Sequence, residues 1–424
     1  MIKQVTSKRN LHEAYLQVYR NKGAAGVDGV QVTELQTHLQ ANGKHYIEQI
    51  ENGNYQPSPI LGVEIPKSNG KTRLLGISTV VDRLFQQALH QVLQPIFEPD
   101  FQKYSYGFRP NRNAHQAIKQ SLENINSGYQ HIVDIDLKSF FDEVEHYVLL
   151  ELIYKRLKCE KTMKLLRSFL RVPIQIKGKL QKRTKGVPQG SPLSPLLSNI
   201  LLNELDKELE RRGHRYVRYA DDFSIYVRSE KSAKRVGNSI YKFLRDKLHL
   251  PINREKSGIR RPLTFNTLGF GFVPTYKKGE KGKYQLVVKD SKWKELKAKL
   301  KRLSRKTIPV SFDERITDIN LLIRGWVNYF KIASIQQKLK KLDEWLRNRL
   351  RYCIWHHWKK PERKRKNLIR LGIEPEQAYA WSRTRMGGWR VAQSPILGTT
   401  ITIARLKQRG YISLLEYYKF AKFH

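Results

Sequence analysis

The sequence predicts an α+β chain, with strands before about residue 290 and helices after it. Three observations carry that reading. The run 131–137 and the two runs 215–218 and 223–227 alternate apolar with polar residues, as half-buried strands do. Between such runs lie longer stretches with apolar residues three and four apart, the spacing of an amphipathic helix. From about residue 290 only helical stretches remain, rich in Lys, Arg, Trp and Leu.

Taken in order, residues 7–22 and 31–52 read as helices parted by the glycine-bearing loop Asn21–Gly29. Runs 62–67 and 71–77 flank Asn69-Gly70, a hairpin turn signal. Val81, Leu84, Phe85, Ala88, Leu89, Val92 and Leu93 make 80–98 an amphipathic helix. A helix over 113–127 precedes the strand 131–137, and helices near 144–157 and 160–171 follow it. A second hairpin from Val172 to Thr184 turns at Lys177-Gly178-Lys179. A long helix begins at Pro195 and stops near Gly213, which suits a C-cap. The hairpin 215–227, a helix 230–248 and the helices 290–306, 311–332 and 334–359 complete the main elements. Pro361 and the run Glu362-Arg363-Lys364-Arg365-Lys366 read as a boundary or a plain linker before a small, mostly helical end.

Lys and Arg number 80 against 38 acids, a net charge of +42 spread along the chain rather than gathered in a tail. That points to a long polyanion held on an extended surface. With 424 residues and 40% hydrophobic content the chain can bury several cores, so it is more than a basic arm. Its two cysteines, Cys159 and Cys353, form neither a disulfide framework nor a paired metal site, which fits a reducing cytoplasm. The start lacks the apolar core of a signal peptide, and no run is long enough to span a membrane.

The chemistry centres on Tyr219-Ala220-Asp221-Asp222, two carboxylates at the turn of a hairpin. Adjacent acids repel and want solvent or a cation. In 131–137, Asp134 and Asp136 share one strand face and Val133, Ile135 and Leu137 the other. An acid on one strand beside an acid pair on a hairpin is a ligand set for two Mg²⁺ ions and for in-line nucleotidyl transfer. Read singly, an Asp-Asp pair is a common loop feature, and Asp134 or Asp136 could be an ordinary solvent-facing residue. Between the acids lies Gly186–Pro195, a rigid turn of two glycines, three prolines and Gln189 placed just before a helix.

Combined in this order, these elements resemble a reverse transcriptase, and more closely the reverse transcriptase/maturase encoded by bacterial group II introns. The resemblance covers essentially the whole chain. It rests also on Asn21–Gly29, Ile65-Pro66-Lys67, Tyr104–Pro110, Asn253-Arg254-Glu255-Lys256-Ser257, Leu268-Gly269-Phe270 and Ile323–Phe330. It implies a right-hand polymerase with four parts. These are an N-terminal extension and template-clamping loop (1–56), fingers and palm with an antiparallel palm sheet (57–275), a helical thumb or maturase domain (285–360) and a C-terminal DNA-binding module (361–424).

The resemblance makes Asp136, Asp221 and Asp222 the catalytic metal ligands for two Mg²⁺, with Mn²⁺ as a substitute, and Asp134 a weaker candidate. Phe140 becomes the aromatic under the sugar that excludes a 2′-hydroxyl, with Phe141 its alternative. Gln189 and Lys256 meet the nucleotide or primer end. Lys67 and Arg73 neutralise triphosphate charge, although both could be a solvated hairpin face. Arg109 and Arg112 contact nucleotide or template, and Gly269 and Phe270 grip the primer. Arg324, Lys331, Arg347 and Arg351 form a basic thumb face for RNA, recognised through shape and backbone. Implied partners are an RNA template with a DNA primer, dNTPs, group II intron RNA and target DNA, with no membrane and with room for a homodimer. The paired cysteines of the nuclease domain found in some members are absent, so DNA second-strand cleavage is not expected. Two other functions fit the same residues: a domesticated polymerase in host defence or repair, and an RNA-binding maturase whose polymerase site has decayed.

Overall fold

The computed structural model describes residues 1–66, 70, 72–276 and 282–423. The chain forms two compact units, Met1–Arg261 and Pro262–His424.

The first unit holds two four-stranded sheets among helices. Strand β1 (Ile60–Pro66) pairs antiparallel with β2 (Thr72–Ile77). β4 (Ile174–Ile176) lies parallel to β1 and carries β5 (Lys179–Gln181) on its far side. The β4–β5 turn falls on Lys177-Gly178, both at positive φ, as a two-residue hairpin link requires. The sequence signals each hairpin but not their parallel union, which is a long-range contact. The second sheet has the order β6-β7-β3-β8, every pair antiparallel: β3 (His131–Ile135), β6 (Arg215–Tyr219), β7 (Asp222–Val227) and β8 (Gly258–Arg260). β3 stops two residues short of the alternating run 131–137, so Asp136 and Leu137 lie beyond its end.

Helices pack around these sheets where their caps and apolar stripes predict. Ser7 accepts from Asn10 N–H at the start of Lys8–Arg20, and Thr79 accepts from Asp82 N–H at the start of Val80–Phe97. Asn113 and Gln116 form a capping box on Ala114–Asn126. Helix Ser194–Arg211 buries Leu197, Leu201, Leu205 and Leu209 in the core of the unit, together with Val133 and Ile135 of β3 and Phe223 and Ile225 of β7. Gly213 follows at φ +68°, the left-handed residue that ends the helix.

In the second unit β9 (Asn266–Thr267), β10 (Phe270–Pro274) and β11 (Tyr284–Val288) form an antiparallel sheet in the order β11-β10-β9. The sequence reading put a boundary at 275–285, yet β10 and β11 pair across it. The reason is packing: Phe270 is fully buried against Tyr329 and Phe330 of helix Phe312–Phe330. Helices Asp290–Leu303, Phe312–Phe330 and Gln336–His357 follow as expected. The charge run 362–366 is no linker. It lies inside helix Pro361–Arg370, which starts with Pro at its first position and buries Leu368. The last helix, Leu414–Phe423, is anchored by Asp343, which accepts from Tyr411 Oη, Ser413 Oγ and the backbone N–H groups of Leu414 and Leu415 at 2.7 to 2.9 Å. No helix among the described residues is long and apolar enough to cross a membrane.

Candidate active site

β6 and β7 are joined by Ala220 and Asp221, with Tyr219 paired to Asp222. Ala220 sits at φ +56°, left-handed backbone that a residue with a Cβ adopts only when its surroundings hold it there. Across the sheet Ile135 of β3 faces Phe223 of β7, so one further step along each strand brings Asp136 level with Asp222. Asp136 is fixed from below by the 253–257 turn. Its N–H donates to Ser257 Oγ at 3.0 Å, and its carbonyl accepts from Asn253 N–H at 2.7 Å.

The four acids repel one another. Surrounding protein pushes Asp222 up to about 6, and Asp221, Asp136 and Asp134 add to the push. Burial also raises Asp221, reinforced by Asp136 and opposed by its own backbone N–H, Arg73 and Arg218. Asp134 reaches about 6 by burial, with Arg260 pulling it down and Asp136 pushing it up. Two cations stand at the rim: Lys256 Nζ lies 3.5 Å from Asp136 Oδ2, and Arg260 Nε 3.9 Å from Asp134 Oδ2. Among the described residues no three His, Cys, Asp or Glu side chains are arranged closely enough to hold a metal ion as they stand. The donor set still suits a hard divalent cation, because it offers carboxylate oxygens that crowd and repel each other.

Arg73 and Gln189 meet next to the acids. Arg73 Nε donates to Gln189 Oε1, and Arg73 also lowers the Asp221 carboxyl. The Gln189 carbonyl accepts from Gly76 N–H at 2.8 Å. Gly190, at φ +112°, comes so close to β2 that a Cβ would lie 2.7 Å from the Gly76 oxygen. The Gly186–Pro195 turn is thus laid backbone to backbone on β2. Lys67 falls outside the described residues.

The other candidate residues differ in burial and in partners. Phe140 is 2% exposed and belongs to the hydrophobic core, because the short helix Phe140–Glu143 turns its ring inward. Phe141 is half-buried, packed against that core and edge-on to Phe140 at 5.3 Å between centroids. Arg109 is committed within the protein: its guanidinium meets Glu98 at 2.8 Å and donates to the carbonyls of Gln102, Ser105 and Phe101. Arg112 is half-buried, stacked on Tyr106 and donating to the Lys103 carbonyl. In the second unit Leu268-Gly269 is the tight link between β9 and β10, and the Leu268 carbonyl accepts from Tyr329 Oη at 2.9 Å. Phe270 is fully buried. Arg351 is likewise spent, donating to the Ile401 carbonyl and Asn348 Oδ1 at 3.0 Å. Arg347 lies against Tyr411. Arg324 is exposed and Lys331 half-buried, and neither has a hydrogen-bond or ion-pair partner among the described residues.

One group escaped sequence reasoning altogether. Arg218, fully buried, pairs with the equally buried Asp206 of helix Ser194–Arg211. The one available signal was Asp206 itself, an acid beside the apolar stripe of Leu202, Leu205 and Leu209.

Residues 65–272 match the model of the reverse transcriptase (RNA-dependent DNA polymerase) family, and residues 293–372 match that of the group II intron maturase-specific domain. With the acid hairpin and the Gln189 turn in their places, the chain belongs to the group II intron-encoded reverse transcriptase/maturase family. Among relatives, Protein YkfC of Escherichia coli is 33% identical over 299 residues, spanning 61% of this chain and 78% of that protein. The group II intron-encoded protein LtrA of Lactococcus lactis is 29% identical over 58% of this chain. The matched region is 51% of LtrA, so the chain corresponds to about half of that relative. A putative COX1/OXI3 intron 2 protein of Saccharomyces cerevisiae is 27% identical over 61% of this chain and 37% of its own length.

Proposed function

We propose that this chain is an RNA-directed DNA polymerase that extends a DNA primer on an RNA template with dNTPs, and that it binds group II intron RNA to assist splicing and retrohoming. The observation that carries the catalytic part is the convergence of Asp136, Asp221 and Asp222 beside the Arg73–Gln189 pair. Asp136, Asp221 and Asp222 would hold two Mg²⁺ ions, with Mn²⁺ as a substitute. Bound there, such ions lower the pKa of a primer 3′-hydroxyl and neutralise a triphosphate. The chain supplies the rest. Lys256, 3.5 Å from Asp136, would add a positive charge for the nucleotide or primer end. Arg73 adds a planar fork for phosphate oxygens. Gln189 supports the nucleotide or template base. Phe141 lies under the sugar and excludes a 2′-hydroxyl, a role we move from Phe140 because of its burial.

In this reading residues 1–56 clamp the template, the two sheets of the first unit are fingers and palm, the helices to residue 360 are thumb, and 361–424 bind DNA. Arg112 touches template, and the backbone at Gly269 touches primer. Arg324 and Lys331, free of partners among the described residues, carry the RNA-facing charge, and Arg347 takes the same role. The test is primer extension on an RNA template with dNTPs and Mg²⁺, beside an Asp221→Ala/Asp222→Ala variant. Synthesis by the unaltered chain alone is expected. RNA binding without synthesis by either protein would replace this reading with a maturase lacking polymerase activity.

A further inference from the structure

We infer that Arg218, with Asp206 and Asn199, is the unit that positions the two adjacent acids, so that this buried ion pair serves catalytic geometry rather than stability. The inference rests on the polymerase reading of those acids. Arg218 Nε donates to both Asp206 oxygens, at 2.8 and 3.0 Å, and Nη2 donates to Oδ2 as well. That leaves Nη1, which points the other way. It donates to Asn199 Oδ1 at 2.9 Å and to the Ala220 carbonyl at 3.0 Å. Ala220 is the left-handed residue directly before Asp221.

The same turn is gripped from its other side. Asn199 Nδ2 donates to the Gly107 carbonyl at 2.9 Å. Gly107 lies so close to the turn that a Cβ on it would sit 2.2 Å from Ala220 N. Tyr106 N–H donates to the Arg218 carbonyl, and Arg218 N–H to the Tyr104 carbonyl, both at 2.9 Å. Three segments remote in sequence therefore converge on one peptide unit: the 104–107 loop, helix Ser194–Arg211 and β6.

Physical reasoning separates this role from simple stabilisation. Taking a guanidinium and a carboxylate fully out of water costs several kcal/mol per ion, and an apolar pair of similar volume is often neutral or better. Stability alone gives no reason to bury Arg218 here. A planar donor with a third hydrogen-bonding arm does give one. It holds the Ala220 carbonyl, and through it the left-handed turn, where a flexible or apolar side chain could not. A lysine can satisfy Asp206 but lacks the arm that reaches Asn199 and Ala220 at once.

The deciding variant is Arg218→Met/Asp206→Leu, which removes both charges and refills the volume. Primer extension is measured per folded molecule, together with the melting temperature and the KM for dNTP, beside the unaltered chain and Asp221→Ala/Asp222→Ala. The expected result is a melting temperature within a few degrees of the unaltered chain, a dNTP KM within about threefold and a kcat lower by at least about tenfold. A kcat within twofold of the unaltered chain would overturn the inference. Arg218→Lys keeps the buried charge and covers the case in which the double variant does not fold. Its folded fraction should show the same loss of kcat, and wild-type kcat in that fraction overturns the inference equally. Absence of synthesis by the unaltered chain would instead sink the polymerase reading, so the two failures are told apart.

Discussion

Asp82 and Asp222 are both carboxyls pushed up to about 6 in the same unit, both first by burial, and they differ in the groups that surround them. Asp82 is 1% exposed and surrounded by donors: Tyr55 Oη at 2.8 Å, Ser58 N–H at 3.1 Å and Thr79 Oγ1 at 2.6 Å. Burial raises it, and those hydrogen bonds hold it back. Asp222 reaches solvent, has no donor among the described residues, and is raised by protein around it and then by three other acids. A buried acid with a full set of donors is a strut, tying 55–58 to the start of helix Val80–Phe97. An acid crowded by acids at an open edge is a charge imbalance that a cation relieves. A raised pKa by itself separates neither case; the partners do.

The sharpest way to break that contrast is to delete each acid. Asp221→Ala/Asp222→Ala should lower primer extension by about a thousandfold or more, because the two acids act as one unit. Its melting temperature should hold or rise, since mutual repulsion is removed. A marked fall in melting temperature with activity retained would make the acid turn a strut as well.

Phe140 and Phe141 repeat the contrast with apolar side chains. Phe140→Ala removes a core ring and should cost about 3–5 kcal/mol in a urea titration. Phe141→Ala should cost less and should raise ribonucleotide incorporation roughly tenfold or more. If the folded Phe140→Ala protein admits ribonucleotides and Phe141→Ala does not, the sugar contact returns to Phe140.

Asp82→Ala leaves Tyr55 Oη, Thr79 Oγ1 and Ser58 N–H without their acceptor in a buried place. The expected loss is roughly 2–4 kcal/mol of stability, with kcat per folded molecule unchanged. A fall in kcat at unchanged stability would move Asp82 into the site.

How far the sequence could be read follows the same division. The acids, the hairpin carrying them and the helices beside them were legible because period and turn chemistry are local. So was the Gln189 turn, whose glycines and prolines announce it. Phe140 and Phe141 were not separable, since which of two adjacent rings turns inward depends on a four-residue helix with no period of its own. Arg109, Arg351 and Phe270 were read as contacts because a basic or aromatic residue in a familiar motif looks available. Glu98, Ile401 and Phe330, the groups that occupy them, come from elsewhere in the chain. Arg218 was invisible for the same reason: its partners Asn199 and Asp206 lie on a different element. The charge run 362–366 hid a helix because only Leu368 and its neighbours pack, too few to set a period.

The smallest expected effect is also the one that isolates Asp82 from its surroundings. Its carboxyl titrates near 6 in the folded chain against an ordinary 3.8, which stands for the unfolded chain. Between those values the folded state holds the extra proton, so stability rises as the pH falls through 6 and is lost as the pH climbs back. From pH 7 to pH 5 the gain should be about 1 kcal/mol from this group. Glu208 works in the opposite sense: Arg211, then Arg212, hold it at about 2, and the stability it lends disappears only as the pH drops below its ordinary 4.5. Between pH 7 and pH 5 Glu208 is almost wholly ionised in both states, but Asp134, also raised to about 6, and His90, His146 and His214, lowered by burial, titrate beside Asp82, so its contribution is read as a difference between variants. Urea titrations at pH 7 and pH 5, in an Asp221→Asn/Asp222→Asn background that keeps the acid turn from titrating, should show the gain. Asp82→Asn in that background should lower the gain by about 1 kcal/mol. A gain of the same size with Asp82→Asn would mean that the hydrogen bonds from Tyr55, Ser58 and Thr79 hold Asp82 in its ordinary range, and that the proton is taken up elsewhere.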